Sequence, residues 1–126
     1  MAIDPRYISA YLNRGGVKVI LEDFKGAIAD YDQALSIDPE NPMAFSNRGF
    51  VKKNLGDLKG ALDDLDKAIG INPIFGDAYK NRGFLKLHLG DRRGACSDFK
   101  KDISLGSQSG AQWLQSSEGE WCRNMP

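Results

Sequence analysis

Asn47-Arg48-Gly49 decides the fold, because the same three residues stand at 13–15 and again at 81–83, each copy 34 residues after the last. The surroundings recur in phase. An aromatic lies two residues before each asparagine (Tyr11, Phe45, Tyr79) and an alanine twelve residues after each glycine (Ala27, Ala61, Ala95). A fixed period of this length marks stacked supersecondary units, none of which buries its apolar face alone.

Outward from the triplets, the chain has 126 residues, 41% hydrophobic and 27% charged, which is the composition of a globular unit. No apolar run approaches the roughly 18 residues needed to span a bilayer. Seventeen basic residues balance seventeen acidic ones, so no net field draws the chain to nucleic acid or an anionic membrane, and any partner is recognised locally. Cys96 and Cys122 lack the paired spacing of a zinc site and are too few for a disulfide framework. They are expected to be free thiols in a reducing compartment, which together with the lack of a secretory signal points to a cytoplasmic location.

The phase extends to the start. Ile3-Asp4-Pro5 precedes Ile37-Asp38-Pro39 by 34 residues, and Ile71-Asn72-Pro73 follows at the same interval. Residues 1–7 therefore read as the tail of a preceding repeat, with the chain a fragment of a longer protein, or as an N-terminal extension that kept the phase. Full units are expected at 8–41, 42–75 and 76–109. In the second, Phe45, Gly49, Val51 and Leu55 recur at helical spacing, although Arg48 and Lys52 interrupt the apolar stripe. Gly56 then permits a left-handed stop, Asp57 can cap the next helix, and Leu58, Ala61, Leu62, Leu65, Ala68 and Ile69 carry that helix to Pro73. Each unit is a helical hairpin. Glycine in the triplet is expected to let the second helix's alanine approach closely. Trp113 keeps the phase 34 residues after Tyr79, but Gln115-Ser116-Ser117 replaces the triplet, so 109–117 reads as a degenerate extra helix. Residues 110–126 are thus expected to be a capping helix and a tail, with Trp121 folding back on the cap.

These residues resemble the tetratricopeptide-repeat family. The matches are Tyr11, Gly15, Ala27, Tyr31, Ala34 and Pro39 in the first unit, Phe45, Gly49, Ala61, Leu65, Ala68 and Pro73 in the second, and Tyr79, Gly83, Ala95 and Phe99 in the third. The resemblance implies an all-α fold: a right-handed superhelical solenoid of three helix-turn-helix repeats with a C-terminal capping helix. Three departures stand out. Asp102 and Ser107 replace the alanine and proline of the other units, and Glu22 replaces the turn glycine at Gly56 and Gly90. If the backbone at Glu22 is left-handed, it costs on the order of 1 kcal/mol. The family also places leucine or a similar residue where this chain has Arg14, Arg48 and Arg82. Each unit carries an aspartate sixteen residues on, which predicts the ion pairs Arg14–Asp30, Arg48–Asp64 and Arg82–Asp98 across the hairpins.

The resemblance further implies a concave face lined by the first helix of each unit, holding a peptide or an extended segment of a partner protein. Its groove positions fall on Ser9, Leu12, Asn13, Gly16, Val19 and Ile20 in the first unit and on Met43, Ser46, Asn47, Phe50, Lys53 and Asn54 in the second. In the third they fall on Asp77, Lys80, Asn81, Phe84, Leu87 and His88. Of these, Leu12, Asn13, Gly16, Met43, Asn47, Phe50, Asn54, Lys80, Asn81, Phe84 and Leu87 are the candidate site. A ladder of Asn13, Asn47 and Asn81 can donate to and accept from a ligand main chain, or else satisfy polar groups of neighbouring helices. Phe50 and Phe84 read as exposed groove surface or as ordinary core.

One subfamily grips the acidic C-terminal ends of chaperones with a two-carboxylate clamp. Only Asn47 of that clamp survives here: Leu12 and Gly16, then Asp77 and Asn81, stand where its other members would be. A chaperone-tail clamp is rejected in this register. Enzyme chemistry is not expected either. His88, the single histidine, has no orienting partner at recognisable spacing, no glycine loop cradles phosphate, and no metal or cofactor is implied. The resulting expectation is a noncatalytic interaction module. The alternative is a structural spacer or self-assembling segment of a longer array, associating end to end through the open N-terminal face.

Overall fold

The computed structural model describes residues 5–126, and of Pro5 the backbone alone. Every regular element among the described residues is a helix. Three hairpins come first: α1 (Pro5–Ile20) with α2 (Phe24–Ile37), α3 (Pro42–Asn54) with α4 (Leu58–Ile71), and α5 (Gly76–His88) with α6 (Arg92–Ser104). Then follow α7 (Gln108–Gln115), a 3-10 turn (Ser117–Gly119) and α8 (Glu120–Arg123). Successive hairpins stack through α2 on α3 and α4 on α5, while α1, α3 and α5 touch in series and form one face. The chain is an all-α solenoid capped by α7. Of the segment expected before the first unit, residues 1–4 lie outside the described residues, and Pro5 already belongs to α1.

The turns follow from local chemistry. Asp23, Asp57 and Asp91 sit just before α2, α4 and α6, where each carboxylate accepts from an otherwise orphaned amide, that of Gly26, Gly60 and Gly94. The preceding residue must be left-handed. Gly56 and Gly90 take φ values of 88° and 85° without a Cβ penalty, and Glu22 is held at 60° with one.

Between the helices the alanines Ala27, Ala34, Ala61, Ala68 and Ala95 are fully buried, with Tyr31 and Leu65 nearly so and Phe99 buried beside them. The triplet glycine meets a different neighbour from the one expected. A Cβ on Gly15 would fall 2.6 Å from Tyr31 Cε1, on Gly49 2.9 Å from Leu65 Cγ, and on Gly83 2.7 Å from Phe99 Cε1. The large residue four positions beyond the alanine fills the space, because one helical turn further along places it over the glycine. In the second hairpin the alanine also comes close, through the Ala61 carbonyl oxygen at 3.1 Å.

The C-terminal segment departs from its sequence reading in two ways. Residues expected as a tail form the 3-10 turn and α8, which packs on α6 and α7. The cysteines expected to be free are bonded to each other, Cys96 of α6 to Cys122 of α8, with both side chains buried. Their separation of 26 residues carries no motif, and the pairing exists only because the chain folds back over α6. The inference of a reducing, cytoplasmic compartment therefore loses one of the two observations it stood on. Among the described residues no helix is long and apolar enough to cross a membrane.

The fold-back is stacked by aromatics. Phe84 meets Phe99 at 5.0 Å, Phe99 meets Trp113 at 5.3 Å and Trp113 meets Trp121 at 5.9 Å, all edge to face, and Arg92 lies over Trp121 at 4.9 Å. Such pairs stabilise by about 0.5–1.5 kcal/mol beyond the area they bury. Trp121 thus folds onto the cap, as its position suggests.

Candidate binding groove

Each first helix is pinned to its second by the triplet arginine. Arg14 donates from Nε and Nη2 to Asp30 at 2.9 and 2.6 Å, Arg48 to Asp64 at 2.8 Å on both, and Arg82 to Asp98 at 2.9 and 2.8 Å. All three predicted pairs form, each two-pronged, the geometry in which guanidinium and carboxylate match best. Lysines one turn on, Lys18, Lys52 and Lys86, reach the same carboxylates at 3.1–3.2 Å. Hydrogen bonding from Arg14 holds the Asp30 carboxyl below its ordinary pKa against the opposing effect of burial, with Lys18 adding to the pull. The third guanidinium corner links one hairpin to the previous one: Arg48 Nη1 donates to Asp32 at 2.8 Å and Arg82 Nη1 to Asp66 at 3.1 Å.

With the helices locked in this way, clefts open along the stack, three of them lined by described residues. The central one, about 250 Å³, is lined by Gly16 and Val19 of α1, Tyr31 of α2, Asn47 and Phe50 of α3, and Asp77, Lys80 and Asn81 of α5. At the N-terminal end Val19, Ile20, Glu22, Phe24, Phe50 and Asn54 surround about 460 Å³. At the C-terminal end Lys80, Phe84, Phe99, Asp102, Ser109, Gly110 and Trp113 surround about 200 Å³.

Seven of the candidate residues meet in these clefts: Gly16, Asn47, Phe50, Asn54, Lys80, Asn81 and Phe84. Asn13, Met43 and Leu87 are exposed but line none of them, and Leu12 packs against the Ala27–Tyr31–Val51 core. Ser46, expected in the groove, is fully buried.

The asparagine ladder is uneven. Asn81 donates from Nδ2 to Ser46 Oγ at 3.0 Å and so ties α5 to α3. The residue 34 before Ser46 is Leu12, which has no hydroxyl, and no hydrogen bond holds the Asn47 amide among the described residues. The two phenylalanines also differ. Phe50 packs against the core of the first two hairpins, whereas Phe84 is exposed, and Lys53 Nζ stands over both rings, 5.4 Å from one centroid and 5.8 Å from the other.

Asp102 lines the C-terminal cleft where Ala34 and Ala68 stand in the earlier hairpins. Burial pushes its carboxyl pKa up, opposed by a hydrogen bond from Ser107 and the charge of Lys80, with Asp77 adding to the rise. Phe24, Tyr31, Phe99, Asp102 and Trp113 were absent from the sequence-derived set. For Trp113 a signal existed, its 34-residue phase, but that phase located the cap rather than a cleft wall.

The geometry defines a class first: a solenoid of helical hairpins with a clefted face. Family models for "TPR repeat" and "Tetratricopeptide repeat" match residues 17–56 and 44–75. Residues 17–75 are thus tetratricopeptide repeats. Among solved structures, the TPR domain of Sgt2 from Aspergillus fumigatus superposes with a TM-score of 0.79 at 25% identity, over 97% of this chain and 80% of that one. The first TPR domain of human RPAP3 gives 0.79 at 21% identity, over 98% and 100%. The first TPR of Spaghetti (RPAP3), bound to the HSP90 peptide SRMEEVD, gives 0.77 at 22% identity, over 90% and 91%. No curated protein matches the chain.

Proposed function

We propose that this chain is a noncatalytic protein-interaction module that holds an extended peptide segment along the face formed by α1, α3 and α5. The central cleft carries the reading: Asn47, a half-buried amide without an intramolecular hydrogen bond among the described residues, sits between Phe50 and the charged pair Asp77 and Lys80. An amide so placed can meet a ligand main chain with both a donor and an acceptor, while the rings take apolar side chains. Asn81, bound to Ser46, leaves its carbonyl oxygen to accept.

The known peptide complex of a similar fold supports the binding mode and not the ligand. The HSP90 peptide SRMEEVD is acidic, and here Asp77 and Leu12 stand where a carboxylate clamp needs cations. The test is selection from a random peptide library, followed by titration of the selected peptide. Asn47→Ala and Phe84→Ala together should weaken binding at least tenfold with unchanged far-UV circular dichroism, and SRMEEVD should fail to compete. Unchanged affinity in the double variant would sink the groove reading.

A further inference from the structure

The outer face of α1 repeats, residue for residue, a surface that the other two hairpins bury. Ala44 and Val51 of α3, and Ala78 and Leu85 of α5, are 0% exposed beneath α2 and α4. Their counterparts on α1 are Ala10, which is exposed, and Val17, 55% exposed, with Tyr7 and Leu21 open beside them. The charges repeat in the same way. Arg48 and Arg82 each have a second carboxylate from the previous hairpin, Asp32 or Asp66, and their side chains are 20% exposed. Among the described residues Arg14 has Asp30 as its one carboxylate and is 60% exposed, and none takes its Nη1 corner.

We infer that the outer face of α1 is a second docking surface, distinct from the groove, and that it takes an α-helix carrying small apolar residues on one stripe and an aspartate in the register of Asp32 and Asp66. The small residues would cover Ala10 and Val17, and the aspartate would complete the Arg14 fork. Charge and coverage both argue against a second copy of this chain in that place. The surfaces of α2 and α4 that bear such a stripe are already covered by α3 and α5, and α6 is covered by α7. In the aspartate register the third hairpin carries Lys100, which would set an ammonium group against Arg14 and is itself bound to the Met125 carbonyl at 2.8 Å.

The probe is a peptide with the sequence of residues 57–73, which holds the α4 stripe and Asp66. Its helix is fixed by a lactam between Lys59 and Asp63, two exposed side chains already paired at i and i+4, so that ordering of the peptide does not mask binding. Titrated into the full chain and followed by 1H–15N spectra, it should shift the Ala10 and Val17 amides and the Arg14 Nε–H. The same peptide with Asp66→Asn should bind at least about fivefold more weakly, and Ala10→Glu in the protein, an exposed site that leaves the fold intact, should abolish binding. The inference is overturned if no shift occurs up to ~1 mM peptide, if Asp66→Asn binds equally well, or if the shifts fall on Asn47, Phe50 and Asn81. It is also overturned if light scattering shows the chain alone dimerising through α1 in a manner that Ala10→Glu prevents. The library-selected groove peptide should bind the Ala10→Glu variant unchanged, so either reading can fail without the other.

Discussion

Among single residues, the repeat is most informative where it is broken. Glu22 occupies the left-handed position that Gly56 and Gly90 fill in the other hairpins, with its side chain exposed and no compensating contact required of it. Glu22→Gly should therefore stabilise the chain by about 1 kcal/mol, read as a higher urea midpoint at an unchanged slope. A lower midpoint would show that the turn carries no strain. Asp102 is the second break. Its carboxyl pKa is raised by burial and by Asp77, so its contribution to stability is fully present below the ordinary carboxylate value of about 3.9 and is lost as pH rises through the folded value. Asp102→Asn should consequently be more stable than the parent at pH 7 and indistinguishable from it below about pH 4. Thermal unfolding across that range tests the sign, and an Asn variant less stable at pH 7 would mean that the charged carboxylate is favoured by its neighbours.

Helices and their partners show why a period is read more easily than a contact. The spacing of Asn-Arg-Gly located all three hairpins, and the sixteen-residue offset located the Arg–Asp pairs, because both are set within one hairpin by helix geometry. The second carboxylate on Arg48 and Arg82 lies the same sixteen residues away in the opposite direction, but it depends on how one hairpin sits on the next. Beyond Trp113, which keeps the 34-residue phase, the C-terminal segment had no period to follow. Its order comes from Trp121 on Trp113 and from the Cys96–Cys122 bond, which closes a loop of 26 residues. In the chain-entropy view such a loop stabilises by about 3.5 kcal/mol. Cys122→Ser should release α8 before the hairpins unfold, seen as a red shift of tryptophan emission with most of the helical circular dichroism retained. Coincident loss of both signals would show that the cap and the hairpins unfold as one unit.

Across the whole molecule, a solenoid sums nearest-neighbour terms, so its two ends are not equivalent to its middle. At the C-terminal end, α7 and α8 cover the third hairpin with the aromatic stack. At the N-terminal end, α1 presents Ala10, Arg14 and Val17 without a covering helix among the described residues. The groove positions were legible only in part for the same reason. Sequence phase assigns a residue to the inner face of a hairpin, but whether it meets solvent depends on the offset between hairpins, which buried Ser46 and left Phe84 open. By itself the sequence determined the repeat and the internal ion pairs, since each arises from residues within about one period and from the fixed rise and pitch of a helix. Only the tertiary structure decided which asparagine keeps an unbound amide, that the triplet glycines face Tyr31, Leu65 and Phe99, and that the two cysteines meet, because those outcomes depend on distances between segments that no local periodicity encodes.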